Sequence, residues 1–284
     1  MRLTDRWAGT IDARPLGLAR IMIGSATLLK LAVVAPLVLA LAAPDTERLP
    51  WLDGFAPTFA APLGVIGVWA AAACAFTIGW RTRVAGTVLT AAMVATLLSD
   101  RQLYSNHLYL LVLLVALLVF ADAGATLSLD ARRQTVSRRV SIIGADLLRI
   151  QLSIVYFFAA IWKINEQFLS GWILGSYLQN GFLTIPGSMR TPEILAWLAG
   201  MTILVELMLA FALWSPRFRV PAAAAGVVLH VMFVLLIEEW AELVVFGAAM
   251  LAIYPLFFVN GTRSTAIGNR RADSLAESPR PRVA

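Results

Sequence analysis

Charge is scarce in this sequence. Only 14% of its 284 residues are Asp, Glu, Lys or Arg, while 60% are hydrophobic. A soluble globular domain carries about 25% charge, so a soluble core of this length is excluded. Cysteine occurs once, as Cys74 in the run WAAAACAFTIG. No internal disulfide can form, and the thiol reads as a small hydrophobe. Histidine occurs twice, and two histidines with one distant cysteine make a poor ligand set. There is no HExxH, no Walker sequence and no GxGxxG, so no metal or nucleotide motif is present. The net charge of +6 comes from arginines dispersed over short polar stretches, which argues against nucleic-acid binding.

Long apolar runs take the place of these features. A spanning helix needs about 20 apolar residues. Runs of that kind cover residues 16–43, 59–80, 84–98, 107–122, 145–164, 194–214, 220–237 and 243–259. The fold class is therefore all-α, a polytopic membrane bundle of about eight transmembrane helices occupying residues 1–260. The third run is short and is separated from the fourth only by SDRQLYSN. The last two are separated by EEWAE, so both pairs read as tight hairpins. Segment 166–193 is broken by Gly, Pro and polar residues and is expected to lie in the interface. Residues 261–284 lack apolar periodicity and read as an unstructured tail.

Charge sets the orientation. With loops assigned alternately to two sides, sixteen of the 23 Lys and Arg residues fall on one side. Only Arg48, Arg101 and Arg190, with Lys163 at the margin, fall on the other; Arg20, Lys30 and Arg149 lie inside spans. By the positive-inside rule the Arg-rich side, with both termini, is cytoplasmic.

Ionisable groups at membrane depth cost several kcal/mol, so they mark functional candidates. His107 opens the fourth span at its outer boundary, beside Asp100, Tyr104 and Asn106. Lys163 ends the fifth span on the same side. Arg149, Tyr156 and Lys163 recur every seven residues and form one helix stripe. His230 lies at mid-depth in the seventh span, Glu238 at the outer rim, and Glu206 near the middle of the sixth. On this reading Lys163 and His107 line one outer cavity, with Tyr156 and His230 deeper in it. Each residue also has a plainer role. His230 can be a neutral histidine bonded to a neighbouring helix. Lys163 can snorkel to the headgroups. Glu206 can be a structural contact to Arg20 or Lys30. Arg20 and Arg149 can snorkel at the cytoplasmic ends of their spans. Span eight, with only Tyr254 and Pro255 to break its apolar run, reads as scaffold.

Several segments carry a family resemblance. YSNHLYLLVLLVALLVFADAGATLSLD over 104–130 resembles the NNH-x-Y-L…D-A…S-x-D segment of vitamin K-dependent γ-glutamyl carboxylases and of the bacterial horizontally transferred transmembrane (HTTM) family. LLRIQLSIVYFFAAIWKINEQFLSG over 147–171 is similar to their Q-x-x-I-V-Y-x-x-A-G-x-x-K-(L/I)-(D/N) segment. GVVLHVMFVLLIE, RPLGLARIMIG and IGWRTRVAG resemble further stretches of the same families. Ala159–Ala160 stands where A-G is usual, and Trp162–Lys163 where two lysines often stand.

The resemblance implies a multi-pass protein of a bacterial plasma membrane with an outward-facing site. It implies Lys163 as the base toward a reduced quinone of vitamin K type and His107 as its assistant. Asp100, Asn106, Tyr156 and His230 are then candidate substrate-binding residues, Glu206 and Arg20 structural polar residues, and no metal is needed. The partners implied are the lipid bilayer and a quinone or small peptide. A non-catalytic role in peptide-toxin maturation, immunity or export stays open. A proton-coupled transporter using Glu206 and His230 is a third reading, weakened by the lack of an inverted repeat. A topology reporter fused after residue 260 should read cytoplasmic and reporters at 50 and 185 extracytoplasmic; an extracytoplasmic signal after 260 would refute the orientation.

Overall fold

The computed structural model describes residues 9–40, 60–133, 138–259 and 261. The tail beyond 261, Arg48 and the loop around residue 50 lie outside these described residues. The elements run β1 (Thr10–Asp12), α1 (Arg14–Ala40), α2 (Ala60–Ile78), α3 (Thr82–Leu97), α4 (Asn106–Phe120), α5 (Leu129–Arg133), β2 (Arg139–Ser141) and α6 (Ile142–Lys163). They continue as α7 (Glu166–Leu169), α8 (Trp172–Gln179), α9 (Pro192–Ala212), α10 (Arg219–Leu236) and α11 (Trp240–Leu251), the last extended by a 3₁₀ turn over Tyr254–Phe258. A small antiparallel ribbon, β1 with β2, places Ile11 opposite Val140 and ties the start of α1 to that of α6.

The protein is an all-α integral membrane bundle. Among the described residues, six helices are long and apolar enough to cross a bilayer: α1, α2, α6, α9, α10, and α11 with its 3₁₀ extension. Eight were expected. The two that fall short, α3 and α4, have 16 and 15 residues, or roughly 23 Å against a hydrocarbon core of about 30 Å. The chain between them is polar, and Asp100 caps a 3₁₀ turn over Arg101–Leu103 by accepting from the Gln102 amide at 2.6 Å. Because α3 and α4 are consecutive and return the chain to its starting side, the sidedness of the other helices does not depend on how deep they reach.

α1 is the central helix. It packs on α2, α4 and α11, while α6 packs on α9 and α4, and α10 lies between α9 and α11. Gly24 lets α1 and α2 approach closely: a Cβ there would stand 2.2 Å from Thr77 Oγ1. α10 is the least enclosed span, and its Val220, Val228, Val231 and Leu235 are exposed. Side chains of that kind fit contact with lipid rather than water. Segment 166–193 does not span. It folds as α7, α8 and a 3₁₀ turn over the first turns of α9, where Leu183, Ile185 and Leu195 make a small separate core. Hydrogen bonds from Thr184 N to Leu236 O and Glu238 N to Phe182 O fasten it to the end of α10.

Buried arginines brace the Arg-rich end. Arg20 is fully buried and donates to the carbonyls of Ala123, Thr126 and Leu127, which pins the chain after α4 against α1. Arg149, expected to snorkel, is instead buried, bonded to Asp146 at 2.6 Å and to the carbonyls of Leu256 and Val259. Asp130 accepts from the amides of Arg81 and Thr82, both at 2.8 Å, and from the Thr82 hydroxyl at 2.7 Å. That anchorage holds Arg81 in the left-handed region at φ 46°.

Burial works against ionisation of Asp130. The Thr82 and Arg81 hydrogen bonds and the nearby Arg20 charge outweigh it, so the carboxyl stays below the ordinary aspartate range. A carboxyl more acidic folded than unfolded stabilises the protein above the unfolded value of about 4. That stability is lost as pH falls through the folded value. Asp130→Asn should cost about 1–3 kcal/mol at pH 7, read from unfolding in detergent, with the deficit against wild type vanishing in acid. A deficit that stayed constant into acid would show that the charge of Asp130 is not what stabilises this end.

Candidate functional site

The chain has only two lysines, Lys30 and Lys163, and each is paired with a glutamate on a neighbouring helix. Lys163, the last residue of α6, donates to both Glu206 oxygens of α9 at 2.7 Å. Glu206 is buried, whereas the Lys163 side chain keeps 26% of its surface exposed. The partner expected for Glu206 was Arg20 or Lys30. Arg20 serves the carbonyls at the opposite end, and Lys30 is held elsewhere, so α6 supplies the cation instead.

Lys30 sits on α1 and is almost fully buried. It pairs with Glu242 in the first turn of α11 and donates to Ser105 Oγ at 3.2 Å. Glu242 also contacts His107, Oε2 to Nδ1, at 3.0 Å. This trio borders a pocket of about 470 Å³ whose wall includes Val33, Val34, Leu37 and Leu103 and whose rim includes Gln102, Tyr104, Asn106 and Glu239. Asn106 is exposed and accepts from the Tyr104 hydroxyl at 3.1 Å.

A third group lies between the pairs. Tyr156 of α6 is buried, with its hydroxyl 2.8 Å from His230 Nε2 and 2.7 Å from the Tyr254 hydroxyl. Gly226 makes room for it: a Cβ there would stand 1.9 Å from the Tyr254 oxygen. Glu206 is within electrostatic reach of Tyr156. On the other side the Phe246 ring packs between the two histidines, its centroid 5.3 Å from that of His230 and 5.1 Å from that of His107. His230 Nδ1 is buried without a hydrogen-bond partner among the described residues.

The candidates thus fall into two sets bridged by one aromatic ring. Lys163, Glu206, Tyr156 and His230 are brought together, and so are His107 and Asn106. The pocket beside His107 is not lined by Lys163, His230 or Tyr156. Asp100 is buried and serves as the cap of the turn before α4. Glu238 is exposed and lies outside both sets.

Sequence reasoning missed Glu242 and Tyr254. Glu242 was read as part of an acidic loop, yet a lysine in the middle of α1 requires an acid, and EEWAE holds the acids that enter a span beside it. Tyr254 is the one hydroxyl in its apolar run, and only the tertiary structure shows that it meets Tyr156.

Residues 9–261 match the HTTM domain, so the chain belongs to the HTTM domain family. No solved structure matches it.

If the Lys163–Glu206 pair is stabilising, the two residues should be energetically coupled. Glu206→Gln keeps an acceptor for Lys163 and should leave the protein folded in detergent gel filtration. Glu206→Leu strands the cation. Its loss in thermal midpoint should be partly recovered in Lys163→Met/Glu206→Leu, with a coupling of about 0.5–3 kcal/mol. Strict additivity of the two substitutions would show that the pair contributes nothing.

Proposed function

We propose that this HTTM-family membrane protein is an enzyme that takes a proton from a lipid-borne hydroxyl at its outward-facing end. A reduced quinone of vitamin K type is the substrate class implied by the likeness to the carboxylases. The observation that carries this reading is the Lys163–Glu206 pair, placed at the end of a span with the lysine partly exposed and the glutamate buried behind it. A proton moving from the Lys163 ammonium to Glu206 leaves a neutral amine beside a neutral acid. The pair has no net charge before or after, so the low dielectric does not oppose the transfer. The free amine is then a base for a phenolic O–H. The pocket beside His107 is separate from this pair; its volume falls within the size range of small-molecule sites, and it sets Val33, Val34, Leu37 and Leu103 against a polar rim.

A second reading has its own support. Both lysines are already neutralised by glutamates. That arrangement suits a non-catalytic member of the family acting in peptide-toxin maturation, immunity or export, with the pairs as helix locks.

Lys163→Arg separates the two. Arginine keeps the charge and the pairing but cannot give up its proton at accessible pH. In a cellular assay that reports on this protein, the enzymatic reading expects Lys163→Ala and Lys163→Arg to be equally inactive while both stay folded. Normal function of Lys163→Arg would exclude the base role and favour the helix-lock reading. Quinone in the lipid extract of purified wild-type protein, read by mass spectrometry, would support the substrate class.

A further inference from the structure

The geometry points to Glu242 as the positioning residue of the outer pocket, a role nothing in the sequence suggested. Its two carboxylate oxygens face different partners: Oε1 is held by the buried Lys30 and Oε2 lies 3.0 Å from His107 Nδ1. Lys30 is itself fixed from the other side by Ser105, which directly precedes α4. A carboxylate can only accept, so a neutral His107 must carry its proton on Nδ1. Its Nε2 is then a bare lone pair. Among the described residues Nε2 has no hydrogen-bond partner, and the side chain lines the pocket with 26% of its surface exposed.

Phe246 packs on the imidazole and limits its rotation. Oε2 of Glu242 already holds Nδ1, so the rim acid Glu239 does not set the tautomer. Nε2 is then the imidazole's acceptor for an O–H donor, on a pocket that sets Val33, Val34, Leu37 and Leu103 against a polar rim of Gln102, Tyr104, Asn106 and Glu239. This step deepens the quinol reading and rests on it for the ligand class: a quinol hydroxyl donates to His107 Nε2 in a pocket distinct from the Lys163–Glu206 pair, and Glu242, aligned by Lys30, sets which nitrogen receives it.

The composition makes the test tractable. With only two histidines and two lysines, labelling those residue types with ¹⁵N gives four assignable side chains in detergent. In spectra collected from pH 5 to 10, neutral wild-type His107 should be the Nδ1–H form, with Nε2 resonating as an unprotonated acceptor. Free imidazole in water favours the opposite tautomer. In Glu242→Gln the amide oxygen stays with Lys30 and the NH₂ turns to Nδ1, so His107 should switch to Nε2–H. Glu242→Asp should restore the wild-type form at least in part. A wild-type His107 that is Nε2–H when neutral, or that remains doubly protonated at pH 10, overturns the assignment. That result needs no variant to fold.

Addition of 2,3-dimethyl-1,4-naphthohydroquinone, kept reduced with dithionite, should then move the His107 Nε2 resonance in wild type and not in folded Glu242→Gln. A shift at Lys163 with none at His107 would overturn this inference and leave the quinol reading standing. No shift at either residue would overturn both.

Discussion

A charge enclosed in an apolar bundle has to be neutralised within reach of its own side chain, and the architecture of this protein follows from that requirement. Water is not available to an ammonium halfway along α1, and the cost of leaving it unpaired is several kcal/mol. Lys30 is answered by Glu242 across the packing of α1 on α11, and Lys163 by Glu206 across that of α6 on α9. Each pair fixes the register of two helices that apolar packing alone would let slide, because hydrocarbon side chains contact lipid about as well as one another.

The two ends of the bundle use polar groups differently. At the Arg-rich end, Arg20 is held by backbone carbonyls, Arg149 by Asp146 and backbone carbonyls, and Asp130 by backbone amides, which ties the segments of that end together. At the other end the groups are paired side chain to side chain: His107 lines a pocket beside Glu242, and Lys163 stays partly open. Tyr156, Tyr254 and His230 lie inside, tied by two short hydrogen bonds.

The spans themselves were legible because membrane helices need long apolar runs and little else. α3 and α4 are shorter than full spans, which hydropathy alone does not show, since it marks where a run is apolar and not where the helix stops. His107, Lys163 and Glu206 could be singled out by the cost of an ionisable group at depth. Their partners could not. Lys30 and Glu242 are 212 positions apart, and no local pattern connects them. Arg149 illustrates the opposite case. Its acid, Asp146, is one helical turn away, so the pairing was open to reading from spacing, yet its burial against Leu256 and Val259 depends on how the last span folds back. The Phe246 ring between the two histidines was invisible because aromatic residues are ordinary in such runs.

The claim that these pairs, and not generic packing, hold the end opposite the arginines together is tested most directly by reversing one of them. Lys30→Glu places a buried carboxylate beside that of Glu242, and Glu242→Lys an ammonium beside that of the buried Lys30. Each alone should lower the yield of folded, monodisperse protein in detergent several-fold. The double reversal Lys30→Glu/Glu242→Lys should recover most of it. Single reversals that purify like wild type, or a double reversal no better than either, would contradict the dependence of this end on the Lys30–Glu242 pair.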